Sequence, residues 1–173
     1  LYMDNVKILD CTLRDGGYYN NWNFSKKLIQ EYLNFIQTTK IKFIELGFRF
    51  SEESKKKGLT AYTNKNLISN LLIPKKLKIG IMINVGDFIQ NKKFNIQKLK
   101  KILNKKNIKK LNFIRLACHH NEVFCLNECF RYLLSLRLKV FVNIMQITEI
   151  DNKNLKKILI FLKNFKISII YLA

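Results

Sequence analysis

The chain has 173 residues, 48% of them hydrophobic, and carries 32 Lys+Arg against 12 Asp+Glu, a formal net charge of +20. That length and apolar content suit one domain with a real core. No apolar run approaches the roughly 20 residues of a membrane span, and one Pro and six Gly leave no room for a flexible linker or a low-complexity tail.

Short β-branched runs alternate with longer amphipathic ones. The strand candidates, in chain order, are 6–11 (VKILDC), 41–46 (IKFIEL), 77–85 (LKIGIMINV), 111–117 (LNFIRLA), 138–145 (LKVFVNIM) and 167–173 (ISIIYLA). Their near-continuous apolar character is that of strands covered on both faces of a parallel sheet. Ser25 is placed to cap a helix over 26–37, where Leu28, Ile29, Tyr32, Leu33 and Ile36 recur at helical spacing. Further helices are predicted over 64–72, 95–105, 121–136 and 152–165. A strand about every 30 residues is βα repetition, either a doubly wound sheet or a (β/α)8 barrel. The doubly wound option predicts G-x-G-x-x-G after the first strand, and LRDGGYYNN lacks that spacing. The barrel option predicts polar residues at the C-terminal ends of several strands. They occur there: Arg14 and Asp15 after strand one, Glu45 at the end of strand two, Asn84 and Asp87 at strand three, Cys118, His119 and His120 after strand four, Asn143 and Gln146 at strand five. The expected fold is an α/β (β/α)8 TIM barrel, partial, with about six βα units in residues 1–173.

The high charge first suggests a nucleic-acid or anionic-surface partner. Composition argues against it. Lys, Ile and Asn number 27, 23 and 20 and share A/T-rich codons, while only five residues are Arg, the side chain suited to bidentate phosphate or base recognition. Four cysteines (Cys11, Cys118, Cys125, Cys129) without a small-domain framework read as reduced thiols of a cytoplasmic protein. LYMDNVK lacks the basic start and apolar stretch of a signal peptide. The chain opens on Leu1, with Met3 a candidate native start, and closes on an apolar strand, so a fragment of a longer protein is expected.

Within the first loop, an Asp at a barrel mouth suits a hard divalent cation. The adjacent Arg offers a fixed fork for a carboxylate or a developing enolate. Gly16–Gly17 would let the backbone turn sharply and approach a ligand closely. The bland alternative is an Arg–Asp pair that pins a loop. Other residues stay open in the same way. Arg49 clamps a substrate carboxylate or anchors a loop. Trp22, Tyr18 and Tyr19 line a pocket mouth or staple the loop. His119 and His120 serve a site or only a strand end. His120, Cys125 and Cys129 suggest zinc or core packing.

The stretch LDCTLRDGG (9–17) resembles the opening motif of the DRE-TIM metallolyase superfamily, which includes 4-hydroxy-2-oxovalerate aldolase, HMG-CoA lyase, isopropylmalate synthase and homocitrate synthase. The segment RLACHHNE (115–122) is similar to the fourth-strand segment of the 4-hydroxy-2-oxovalerate aldolase branch. The resemblance implies a divalent-metal-dependent aldolase or lyase, with Mn²⁺ or Mg²⁺ as cofactor and a 2-oxo acid or related substrate cleaved through an enolate. It implies Asp15 as metal ligand, Arg14 as enolate stabiliser and Glu45 as the family's second-strand glutamate. It also implies two further ligands from an H-x-H motif on the seventh strand, which does not occur in these residues. The aldolase branch carries a His just after the motif's glycine, where this chain has Tyr18, and an unperturbed Tyr is a poor base at neutral pH. The base is therefore expected from His119, Tyr18 or a segment beyond Ala173. The alternatives are a Claisen-type acyltransferase related to isopropylmalate or homocitrate synthase, and a non-catalytic basic binding protein. The expected partner is a small-molecule 2-oxo acid, with a second copy or a further C-terminal domain in the full-length protein. Neither nucleic acid nor membrane is expected.

Overall fold

The computed structural model describes residues 6–173. Residues 1–5, and with them the candidate start Met3 and most of LYMDNVK, lie outside the described residues. The chain divides into two compact units, one running to Ile81 with Lys110–Asn112 added, the other comprising Met82–Lys109 and Phe113–Ala173.

In the first unit, β1 (Leu9–Asp10) pairs parallel with β2 (Phe43–Phe48), Leu9 opposite Phe43 and Asp10 opposite Ile44. Two helical turns follow β1 directly, α1 (Thr12–Asp15) and α2 (Gly17–Asn20). Next comes α3 (Lys26–Ile36), which starts where expected because the Ser25 side chain accepts the Leu28 N–H at 3.1 Å. Its Ile29, Leu33 and Ile36 are buried, as the helical spacing requires. After β2 come α4 (Leu59–Tyr62) and α5 (Lys65–Asn70), the latter capped by Asn64. Strand β3 (Lys78–Asn84) begins in this unit and ends in the other.

The second unit continues from β3 through a 3-10 turn (Val85–Phe88) into a two-stranded hairpin, β4 (Ile89–Gln90) and β5 (Lys93–Phe94). Helix α6 (Ile96–Ile102), strand β6 (Phe113–His119), helix α7 (Asn127–Ser135), strand β7 (Lys139–Met145), helix α8 (Asn152–Lys163) and strand β8 (Ile167–Leu172) follow. β6 pairs parallel with β7, and β7 with β8. Phe113 and Phe141, two residues out of register across the β6–β7 pair, stack with ring centroids 4.6 Å apart. Phe130, Phe161 and Phe165 pack α7 against α8.

The six long-range strands form one sheet in the order β1-β2-β3-β6-β7-β8, which is sequence order. A doubly wound sheet reverses its strand order about the first strand; among the described strands there is no reversal. The α/β class and the six strands expected from the periodicity are present. Their bounds differ where tertiary contacts decide. Strand one is two residues rather than six, because the chain turns helical at Thr12 and Val6 and Ile8 stay exposed. The helix expected over 121–136 is a 3-10 turn (Val123–Leu126) followed by α7. The helices expected over 64–72 and 95–105 are shorter at both ends.

Candidate active site

Strand β2 runs two residues beyond the expected end at 46. Glu45 is therefore its third residue and not its last, a correction to the strand-end placement. The extension depends on Gly47, whose φ of +153° is rare for side-chain-bearing residues, and whose added Cβ would lie 2.0 Å from the Thr60 carbonyl oxygen. α4 thus packs directly against the strand backbone. The Glu45 side chain is 0% exposed. An ionised carboxylate there must be compensated.

Arg14 compensates it. Its Nε donates to Glu45 Oε2. Its two Nη atoms meet Asp15 in a fork, Nη1 at 2.6 Å from Oδ1 and Nη2 donating to Oδ2 at 2.9 Å. All three guanidinium nitrogens are thus aimed at carboxylates on two elements. Burial alone would lower the Arg14 pKa, but the charges of Glu45, Cys11 and Asp15 outweigh it and raise the pKa. Arg14 is a fixed cation. Its side chain is 12% exposed and that of Asp15 58%, so the fork runs from the buried Glu45 out to solvent at Asp15.

The turn itself differs from the sharp glycine turn expected from the sequence. Gly16 has helical φ/ψ (−59°, −23°), and the chain makes two helical turns. Gly17 is needed for space: an added Cβ would lie 2.0 Å from Trp22 Cδ1. The Trp22 indole, buried beside Gly17, donates to the Arg14 carbonyl at 2.9 Å. It meets Tyr18, Phe48 and Phe50 edge-on. Trp22 therefore staples the turn, one of the two roles left open for it. Tyr18 is 64% exposed and also packs edge-on against Phe48. Tyr19 is more exposed still.

Arg49 resolves toward its structural role. It is buried, and donates through Nε to the Tyr62 carbonyl at 3.3 Å and through Nη2 to the Thr63 carbonyl. Burial lowers its pKa to about 10. These carbonyls close α4, where Thr63 takes a left-handed conformation.

In the second unit, His119 is the last residue of β6, and Ala117 and His119 stand opposite Asn143 and Met145 of β7. The His119 N–H donates to Glu122 Oε2 at 2.8 Å while the Glu122 N–H donates back to the His119 carbonyl, so the strand end is fixed by a closed turn. Cys118 and His119 are within the strand, not after it, and His120 begins the turn. Asn84 donates to Asp87 at 2.8 Å, and Lys98 Nζ to the Asp87 carbonyl at 2.9 Å, which ties the loop after β3. Gln146 donates to Glu149. Cys129 is fully buried, whereas Cys125 donates to the Lys92 carbonyl of the β4–β5 hairpin. The pair thus follows the packing alternative.

Asp15 offers the hard oxygen donors and the exposure a divalent cation needs. Among the described residues no group of three or more His, Cys, Asp or Glu side chains is arranged to hold a metal ion, so Asp15 alone does not make a centre. Among the described residues, no helix is long and apolar enough to cross a membrane. The sequence singled out Arg14, Asp15 and Glu45, and the fold brings these three together; Tyr18 stands at the edge of the same turn. His119 lies in the second unit. The reading missed Asp10 and Tyr32, whose hydrogen bond ties α3 to the end of β1. In the sequence Tyr32 belongs to the apolar stripe of α3, and its hydroxyl is the one local sign of a polar partner.

No family model matches the chain, and no curated protein does. Among solved structures, the chain is similar to one described as the "N-terminal domain of a putative aldolase" from Bacteroides vulgatus, with a TM-score of 0.74 and 23% sequence identity over 95% of this chain. The chain covers 62% of that structure's length. At this identity the likeness establishes a shared α/β fold.

Proposed function

We propose that the protein is a carbon–carbon lyase of the aldolase type, divalent-metal-dependent, acting on a 2-oxo acid through an enolate. Its described residues would form the first part of a (β/α)8 barrel. The fold shared with an aldolase domain supports this reading, as does a sheet whose strands follow sequence order. The observation that carries it is the Glu45–Arg14–Asp15 chain of contacts.

In this reading Asp15 would be one ligand of Mn²⁺ or Mg²⁺, and such an ion would supply Lewis-acid polarisation of the substrate's oxo group. Arg14 would offer the oxyanion the Nη N–H groups that its fork onto Asp15 leaves over, a site where one fixed donor is worth roughly 3–4 kcal/mol of barrier. Glu45 holds Nε so that the fork keeps one orientation, and its charge keeps the guanidinium positive. Tyr18, at the solvent edge of the turn, is the candidate beside this cluster to move the proton.

The experiment uses the full-length protein and follows pyruvate release from a 4-hydroxy-2-oxo acid with and without Mn²⁺. Metal-dependent release is expected. Condensation of an acyl-CoA instead would move the protein to the acyltransferase alternative, and salt-sensitive nucleic-acid binding without turnover would support a basic binding protein.

A further inference from the structure

The turn that carries Arg14 and Asp15 is a four-residue helix, far below the length at which a helix holds itself. Its start is clamped from outside. Asp10, the last residue of β1, accepts the Thr12 N–H on Oδ1 at 2.9 Å. The same oxygen accepts the hydroxyl of Tyr32, which reaches across from α3. The next carbonyl, that of Cys11, accepts the N–H groups of both Arg14 and Asp15, at 2.9 and 2.8 Å. One carboxylate oxygen therefore joins α3 to the first peptide of the turn, and the turn's register sets where the Arg14 fork points. Tyr32 is half-buried. Burial, and then its bond to Asp10, hold its phenol above the ordinary range, so it stays a neutral donor.

We propose that Asp10 and Tyr32 are positioning residues for the Arg14–Asp15 pair: an acceptor oxygen at position 10, held by a hydroxyl from α3, fixes the turn. The consequence for turnover rests on the aldolase reading; the clamp itself does not. What position 10 must supply is an acceptor and not a charge, because both of its partners are neutral donors. Asp10→Asn therefore keeps the clamp, while Asp10→Ala and Tyr32→Phe break it.

The test uses the full-length protein and two readouts. Amide exchange of Thr12–Asp15 is expected to speed up about tenfold in Tyr32→Phe and Asp10→Ala, with α3 and β2 unchanged, and to stay near wild type in Asp10→Asn. Mn²⁺-dependent release of the 2-oxo acid should lose about tenfold in kcat in the first two variants with KM little changed, and recover in Asp10→Asn. Wild-type exchange at Thr12–Asp15 in both Tyr32→Phe and Asp10→Ala would overturn the clamp. So would a rise spread evenly over the unit, or an Asp10→Asn variant as impaired as Asp10→Ala. A wild-type protein without aldolase turnover sinks the functional reading instead, and the exchange data still decide the clamp.

Discussion

Arg14 donates through Nε to Glu45, a carboxylate with no solvent exposure, 31 residues further along the chain. The same guanidinium forks onto the exposed Asp15. One side chain therefore does two jobs: it neutralises a buried charge and orients an exposed one.

Arg14→Ala should cost stability as well as turnover. Removing one member of a buried pair leaves the other charge under-compensated, an effect of about 3 kcal/mol. Arg14→Lys should recover only part of it, because an ammonium cannot meet Glu45 and fork onto Asp15 together. Urea unfolding of the two variants measures this. An Arg14→Ala protein as stable as wild type would show that the Glu45 charge is compensated elsewhere.

Gly17→Ala should displace Trp22. The added methyl would overlap the indole, and overpacking of this kind costs about 1–3 kcal/mol. Trp22 is the chain's single tryptophan, so its fluorescence reports the site without interference. A red-shifted emission with lowered stability is expected; an unchanged spectrum would mean that the turn relaxes around the methyl.

Alkaline pH should destabilise the second unit through its buried thiols. Burial raises the Cys118 thiol to about 12 and that of Cys129 further still. In the unfolded chain both ionise near pH 9, so above that pH the unfolded state binds fewer protons than the folded state. Stability then falls as pH rises from about 9, by up to about 1.4 kcal/mol per pH unit for each thiol, until the folded-state value is reached. Below pH 8 the two thiols contribute no slope. Unfolding of Cys129→Ala between pH 8 and 11 should show a shallower decline than wild type, and equal slopes would contradict the assignment.

The sequence showed the α/β class through six near-continuous apolar runs, because a strand covered on both faces leaves that mark whatever its neighbours are. It showed Arg14 and Asp15 through a short motif, and Glu45 through its place in the second strand. It did not show how they meet. β2 extends to Phe48 because α4 packs against Gly47, a long-range contact with no local signal. The glycines of the first turn suggested conformational freedom; in the fold Gly17 is a packing residue set by Trp22. The hairpin at β4–β5 leaves no mark in the sequence, because Asn91 and Lys92 take positive φ without a glycine at the turn. The Arg49 side chain could not be assigned from sequence, since its partners are backbone carbonyls.

The proposed function turns on Asp15 holding a divalent metal beside the Arg14 fork. The most direct measurement compares full-length wild type with Asp15→Asn, following Mn²⁺ binding by calorimetry and pyruvate release from a 4-hydroxy-2-oxo acid. The account predicts that wild type binds Mn²⁺ and turns over only when it is bound, and that Asp15→Asn loses both, with turnover down by about a hundredfold or more. Turnover by wild type without metal, or an Asp15→Asn protein that binds Mn²⁺ and turns over like wild type, would contradict it.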